Sequence, residues 1–143
     1  MKRSQLAEII RDHGIRVTAQ RVGILQALSE AAGHPCAQEV HQRAARQLPG
    51  LNMATVYRAL YRMQEAGLVD LFSTETGVQR FAYRDPQNPH AHLVCRQCGV
   101  VLELSPSVFG SLSEQLLAES GFELDSRHVV LTGVCRTCRG SRV

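Results

Sequence analysis

Four of the five cysteines in this chain fall into two equal spacings, Cys95-Arg96-Gln97-Cys98 and Cys135-Arg136-Thr137-Cys138. Two residues between thiols let both sulfurs reach one ion from a single turn, and four thiolates suit tetrahedral zinc. The 36 residues between the pairs exceed the interval of a common zinc ribbon, so a whole helix is expected in the gap. Cys95, Cys98, Cys135 and Cys138 are therefore candidate ligands of a structural zinc, stapling the last strand to the first hairpin of their half of the chain. The rival chemistry is a dithiol redox switch, which needs at least one exposed pair of lowered pKa. Cys36 stands apart from both pairs.

A second group is spread more widely. His90 and His92 alternate as a strand begins, which puts both imidazoles on one face. Glu103 lies on the next strand-like run and can point towards them, and His34 is the remaining histidine with a route to the same place. Three imidazoles and a carboxylate suit Zn(II) and, with extra oxygen ligands, Fe(II) or Mn(II). A site drawn from both halves of the chain would fix their relative orientation when filled. The plainer alternatives are solvated linker histidines at 90 and 92 and a helix-capping His34.

The third group is Asn52 to Val69. Met53, Val56, Leu60 and Met63 gather on one helical face, leaving Tyr57, Arg58, Tyr61 and Arg62 to look outward. Asn52 is a suitable N-cap and Gly67 a suitable stop. Arg can pair with guanine edges or phosphates, and aromatic edges can touch thymine methyls, as a major-groove recognition helix requires. Alone, the segment is equally an ordinary surface helix.

The elements that must position these groups follow the chain. The patterning predicts helices over residues 4–13 (Ser4 as cap, Gly14 as stop), after Thr18 up to Ala31, and from His34-Pro35 to Pro49-Gly50. The recognition helix comes next, then strands at 69–73 and 78–83 about a turn at Thr74-Glu75-Thr76-Gly77. Three or four helices and a hairpin make a winged helix-turn-helix, with Arg80 and Arg84 near phosphates. Asp85-Pro86-Gln87-Asn88-Pro89 breaks every periodicity and marks a boundary. Beyond it, strands are expected over 92–95, 100–104 and 128–134. A helix capped by Ser105-Pro106 carries Val108, Leu112, Leu116 and Leu117 and closes at Gly121. The fold class is α+β: a winged-helix domain at 1–84, a hinge at 85–90, and a dimerisation and zinc-binding domain at 91–143. A second unit of about fifty residues has little core of its own and is expected to rely on metal and on a partner subunit.

Composition sets bounds on function. The net charge is +3, and residues 1–90 hold 11 Lys/Arg against 8 Asp/Glu while residues 91–143 hold 5 against 5. The positive excess thus lies in the half with the recognition helix, which permits nucleic-acid binding without requiring it. No run of eighteen apolar residues exists, which excludes a membrane span. The N-terminus lacks the apolar core of a signal peptide, so a cytoplasmic protein is expected. A zinc enzyme such as a hydrolase or deaminase would need an open coordination position and a general acid/base. Glu103 fits that role, but neither HxE followed by PCxxC nor HExxH occurs. No enzymatic activity is expected. A redox or zinc-storage module is a third reading.

Taken in order, GIRVTAQR, HP, LNMATVYRAL, AGLV, HAHLVCRQCG, VLEL and LTGVCRTC nearly span the chain and resemble the ferric uptake regulator family of metal-dependent bacterial transcription factors. The resemblance implies a homodimer that binds a palindromic double-stranded operator when the sensing metal is present, repressing metal-uptake or stress genes. It implies structural zinc at the four paired cysteines and an interdomain sensing site of His34, His90, His92 and Glu103. It further implies DNA reading by Thr55, Tyr57 and Arg58, and a basic position near the minor groove at Arg16.

The departures from the family are informative. Pro89 and Ala91 interrupt the family's histidine run, and Gly110 and Arg127 stand where a second regulatory site would have ligands. His128 is displaced by one position, so that additional site is expected to be absent. Peroxide sensors of the family carry a carboxylate after the wing's Arg-Phe, where Arg80-Phe81 is here followed by Ala82. Zinc sensors often take a ligand where Asp70 stands and a wing or linker Cys that this chain lacks. Asp70, Asp85 or Cys36 are the candidates to complete the site. Zinc and iron sensing stay close, with manganese behind, and a peroxide-sensing regulator is the alternative.

Overall fold

The computed structural model describes residues 1–73 and 77–140; the turn expected over Thr74-Glu75-Thr76 and the side chain of His128 lie outside that description. The chain divides into two compact units, residues 1–73 with 77–84, and a second from Asp85 onward.

In the first unit, helices α1 (Arg3–Asp12), α2 (Ala19–Glu30), α3 (Ala37–Ala45) and α4 (Met53–Glu65) precede an antiparallel hairpin of β1 (Val69–Ser73) and β2 (Gln79–Tyr83). α2 buries Val22, Gly23, Ile24, Leu25, Ala27 and Leu28, and packs against α1, α3, α4 and β2, so it is the centre of the unit. A Cβ at Gly23 would stand 2.6 Å from Leu48 Cδ1, so glycine there lets the turn after α3 close onto α2. Leu6, Ile10, Leu60, Met63, Leu68 and Phe81 complete a core withdrawn from water. Burial of each such side chain contributes about 1.5–3 kcal/mol.

Caps set the helix ends. Thr18 Oγ1 accepts from the Arg21 N–H at 3.1 Å, and Asn52 Oδ1 accepts from the Thr55 N–H at 2.9 Å, each satisfying a donor that has no intrahelical partner. Gly67, at φ 81, ends α4 in a conformation that a side chain would strain. Two starts differ from the sequence expectation. α1 is capped by Lys2, not Ser4. α3 begins after Cys36, because His34-Pro35 is drawn alongside β2, where the Pro35 carbonyl accepts from the Phe81 N–H at 2.9 Å.

In the second unit, β3 (Ala91–Cys95) is central in a sheet ordered β4-β3-β5, antiparallel to β4 (Val101–Leu104) and parallel to β5 (Val130–Gly133). The parallel pairing needs a long crossover, supplied by a 3₁₀ turn at Pro106–Phe109 and helix α5 (Gly110–Ser120). Ser105 caps that turn and Gly121 closes α5 in the left-handed conformation. β5 is shorter than the expected 128–134 run, because Ser126–His128 forms a 3₁₀ turn. The chain then enters the short helix α6 (Arg136–Gly140).

Candidate metal centres and nucleic-acid interface

The four sulfurs of Cys95, Cys98, Cys135 and Cys138 lie within 4.8 Å of one another. Zn–S bonds of about 2.3 Å would place tetrahedral sulfur pairs about 3.8 Å apart, and Cys98 and Cys135 stand at 3.7 Å. The donor set therefore fits zinc in both type and spacing. Local structure explains the convergence. Cys95 ends β3 and pairs in register with Gly133 of β5, and the Arg96 N–H donates to the Gly133 carbonyl at 2.9 Å. This pairing delivers Cys135 beside Cys95. Gly99, at φ 77, closes the Cys95–Cys98 turn through its N–H to the Cys95 carbonyl. Backbone N–H donors, first that of Cys98 and then that of Cys135, pull the Cys95 thiol down to about 6. Cys138 is pushed up to about 12, chiefly by its hydrogen bond with Cys135 and then by desolvation.

On β3 and β4, His92 stands directly opposite Glu103, and their ligand atoms lie within 4.8 Å. His90 and His92 meet edge to face at 4.6 Å, and His90 Nε2 is 3.5 Å from Glu103 Oε1. The His90 Nδ1 lies 2.9 Å from the Asn88 carbonyl. A carbonyl only accepts, so Nδ1 carries the proton and Nε2 is left as the ligating atom, the arrangement usual for metal-bound histidine. His92 is buried and Glu103 largely exposed. Two imidazoles and a carboxylate thus converge within the second unit, a donor set that fits a borderline divalent ion.

His34 lies in the first unit, in the connector between α2 and α3. Its ring meets Phe72 edge-on at 5.4 Å, and its carbonyl accepts from Arg80 Nη1 at 3.0 Å. The further ligand candidates have local occupations. Asp70 is buried and its Oδ1 accepts from both Nε and Nη2 of Arg84. Asp85 accepts from the Gln87 N–H, and Cys36 is the N-cap residue of α3, its backbone N–H donating to Glu39 Oε2 at 3.0 Å. Asp70 also stands across the hairpin from Ala82, so a carboxylate does occur beside the Arg80-Phe81-Ala82 run, held by Arg84. Of the other histidines, His13 and His41 bond the Ile9 and Leu51 carbonyls.

α4 buries Val56, Ala59, Leu60 and Met63 and exposes Tyr57, Arg58, Tyr61 and Arg62. Arg58 Nη2 donates to Thr55 Oγ1 at 3.3 Å, which holds the guanidinium along the outer face. Arg16 is exposed in the connector before α2, and its carbonyl accepts from Arg21 Nη1 at 2.7 Å. The wing arginines have partners within their own unit. Arg84 is engaged by Asp70, and Arg80 by the His34 carbonyl and, at 3.8 Å, by Glu39. Both are used to tie the hairpin to its own unit. Sequence reading missed Gln79, whose Oε1 accepts from the Tyr61 hydroxyl. No spacing rule joins residues 18 positions apart in a helix and a strand; only the return of the chain along β2 brings them together.

Comparison with known proteins agrees with this anatomy. A model of the ferric uptake regulator family matches residues 12–132. The chain is 33% identical over 126 residues to a zinc uptake regulation protein of Mycobacterium tuberculosis, covering 88% of this chain and 96% of the relative. A structure of the Pseudomonas aeruginosa ferric uptake regulator with manganese superposes with a TM-score of 0.71 at 32% identity, covering 90% of this chain and 96% of that one. A zinc uptake regulator complexed with zinc and DNA gives a TM-score of 0.56 at 26% identity, covering 97% and 93%.

Proposed function

The chain belongs to the ferric uptake regulator family, and from that premise we propose that it is a metal-responsive, DNA-binding transcriptional repressor of metal-uptake genes. It acts as a cytoplasmic homodimer on a palindromic operator and catalyses no reaction. Residues 1–84 form its DNA-binding domain, 85–90 its hinge, and 91–143 its dimerisation and zinc-binding domain. The observation that carries the reading is one chain holding an outward Tyr/Arg face on a winged helix, a four-cysteine cluster, and a separate cluster of imidazole and carboxylate.

Each metal has its own role. Zinc at Cys95, Cys98, Cys135 and Cys138 is structural, since a closed four-thiolate site has no open position. The regulatory ion sits at His90, His92 and Glu103, with His34 contributed by the first unit. It biases the hinge, and to act as a switch it must bind the DNA-competent arrangement better than the other. Zinc is the first choice for the regulatory ion, supported by the name of the mycobacterial relative, with iron next and manganese third. Arg58 and Tyr57 read bases, Thr55 steadies Arg58, and Arg16 lies near the minor groove. Among the described residues no helix is long and apolar enough to cross a membrane. The apolar side chains that α5 and β5 leave exposed support a partner copy.

The test is a gel-shift titration with zinc, iron and manganese on DNA enriched from a random pool. Metal-dependent binding is expected, lost on chelation and in His90→Ala or His92→Ala. Affinity indifferent to all three treatments removes the switch. Arg58→Ala should cost roughly 1–3 kcal/mol on the enriched sequence. Equal weakening on every sequence, with a shallower salt slope, would make Arg58 a phosphate contact instead.

A further inference from the structure

We propose that Tyr61 is a positioning residue for DNA reading, bracing Tyr57 on one side and tying the recognition helix to the wing on the other; this rests on the DNA-binding reading above. Tyr57 and Tyr61 are one helical turn apart on α4, where side chains four residues apart meet. Their rings stack at 6.0 Å with 19° between planes. The other side of Tyr61 meets Phe81 at 6.2 Å and 66°, and Phe81 is wholly buried in the core. The Tyr61 hydroxyl donates to Gln79 Oε1, at the start of β2. The exposed Tyr57 ring is therefore backed by a second ring, which is itself anchored to the core and to the wing.

A base-reading tyrosine gains from such backing, because a side chain already held in its bound rotamer loses less freedom on binding. The wing gains likewise. A cleft of about 260 Å³ lined by Cys36, Gln38, Tyr57, Val78 and Gln79 leaves it room to shift once the hydrogen bond is gone. With the bond in place, helix and hairpin meet a duplex as one preformed surface.

Tyr61→Phe and Gln79→Ala remove the same hydrogen bond and leave the ring stack. The probes are the duplex enriched by the zinc-repleted wild-type protein and a scrambled duplex of equal composition. Each variant should weaken binding to the enriched duplex roughly two- to tenfold, the range of one neutral hydrogen bond. The double variant should be no weaker than either single one, since both act through one contact. The dependence on salt should keep its slope, because no phosphate contact is lost. Tyr61→Ala, which also removes the brace, should further reduce the preference for the enriched duplex over the scrambled one.

Unchanged affinity in Tyr61→Phe overturns the proposal. So does additive loss in the double variant, and so does weakening on both duplexes with a shallower salt slope, which would put the hydroxyl on a phosphate. If Tyr61→Ala does not fold, the Tyr61→Phe and Gln79→Ala cycle still decides. A wild-type protein that enriches no duplex with any metal removes the underlying reading rather than this one.

Discussion

The two units of this chain are held together by different physics. In the first, one continuous apolar cluster runs from Leu6 to Phe81, and every member precedes Arg84. In the second, α5 has no buried residue and all four residues of β5 are exposed. Among the described residues its buried set is short: Ala91, Val94, Gly99 and Phe109, with His92 and Cys95, both of which offer ligand atoms. Leu112, Leu117, Phe122, Val130 and Leu131 face outward instead, and a groove of about 350 Å³ runs over the sheet between Leu93, Leu102 and Thr132. The first unit is thus specified by hydrophobic burial. The second leaves many of its apolar side chains exposed, and its four convergent sulfurs stand where a core would otherwise be. A small unit with so little burial needs such a staple.

The contrast is open to direct attack, and the heaviest blow is removal of zinc. Stripping the metal with a strong chelator, or Cys98→Ser with Cys135→Ser, should cost the second unit on the order of 10 kcal/mol, the apparent binding energy of a structural zinc. Amide exchange over 91–140 should rise to unfolded rates while the helices of the first unit stay protected. Simultaneous loss of protection in both units would break the comparison. Phe81→Ala is the converse experiment, with an expected cost of about 3–5 kcal/mol. The first unit should melt earlier while the purified protein keeps one zinc per chain at the cysteines. Zinc lost together with the helices would show that the two are not independent.

Smaller effects sharpen the same division. Asn52→Ala removes the recognition-helix cap and should lower the stability of the first unit by about 1 kcal/mol, seen as a shifted denaturant midpoint at unchanged slope. Least of all should come from Leu112→Glu with Leu117→Glu. These exposed positions should change the melting of the first unit by no more than about 0.5 kcal/mol. Sedimentation should nevertheless report monomers in place of dimers. A dimer that survives both charges would mean that a different face is covered.

Much of this was legible from local rules. Thr18 and Asn52 cap helices because a side-chain oxygen one turn ahead of a free N–H needs nothing distant, and Gly67 and Gly121 stop helices for equally local reasons. The four paired cysteines were legible too, because the CxxC turn is a property of four consecutive residues. Where the reading failed, a remote partner had overruled a local preference. Pro35 suits a first helical turn, yet its carbonyl is taken by the distant Phe81, and α3 starts later. Val108 and Leu112, four apart, have the spacing of a core stripe, yet both are exposed, and nothing in helical periodicity says which surface they meet.

Taken by itself, then, the sequence determined which residues offer sulfur, imidazole and carboxylate donors, the order of helices and strands, and that the class is α+β. Those properties depend on side-chain chemistry and on neighbours within a turn or a strand. Only the tertiary structure decided how the donors are shared out. Asp70 is given to Arg84, His90 Nδ1 is held by the Asn88 carbonyl with Nε2 turned towards Glu103, and Tyr61 is handed to Gln79. Such assignments are settled by which groups the packed elements bring within about 3 Å of each other, the reach of a hydrogen bond, and no pattern along the chain records that distance.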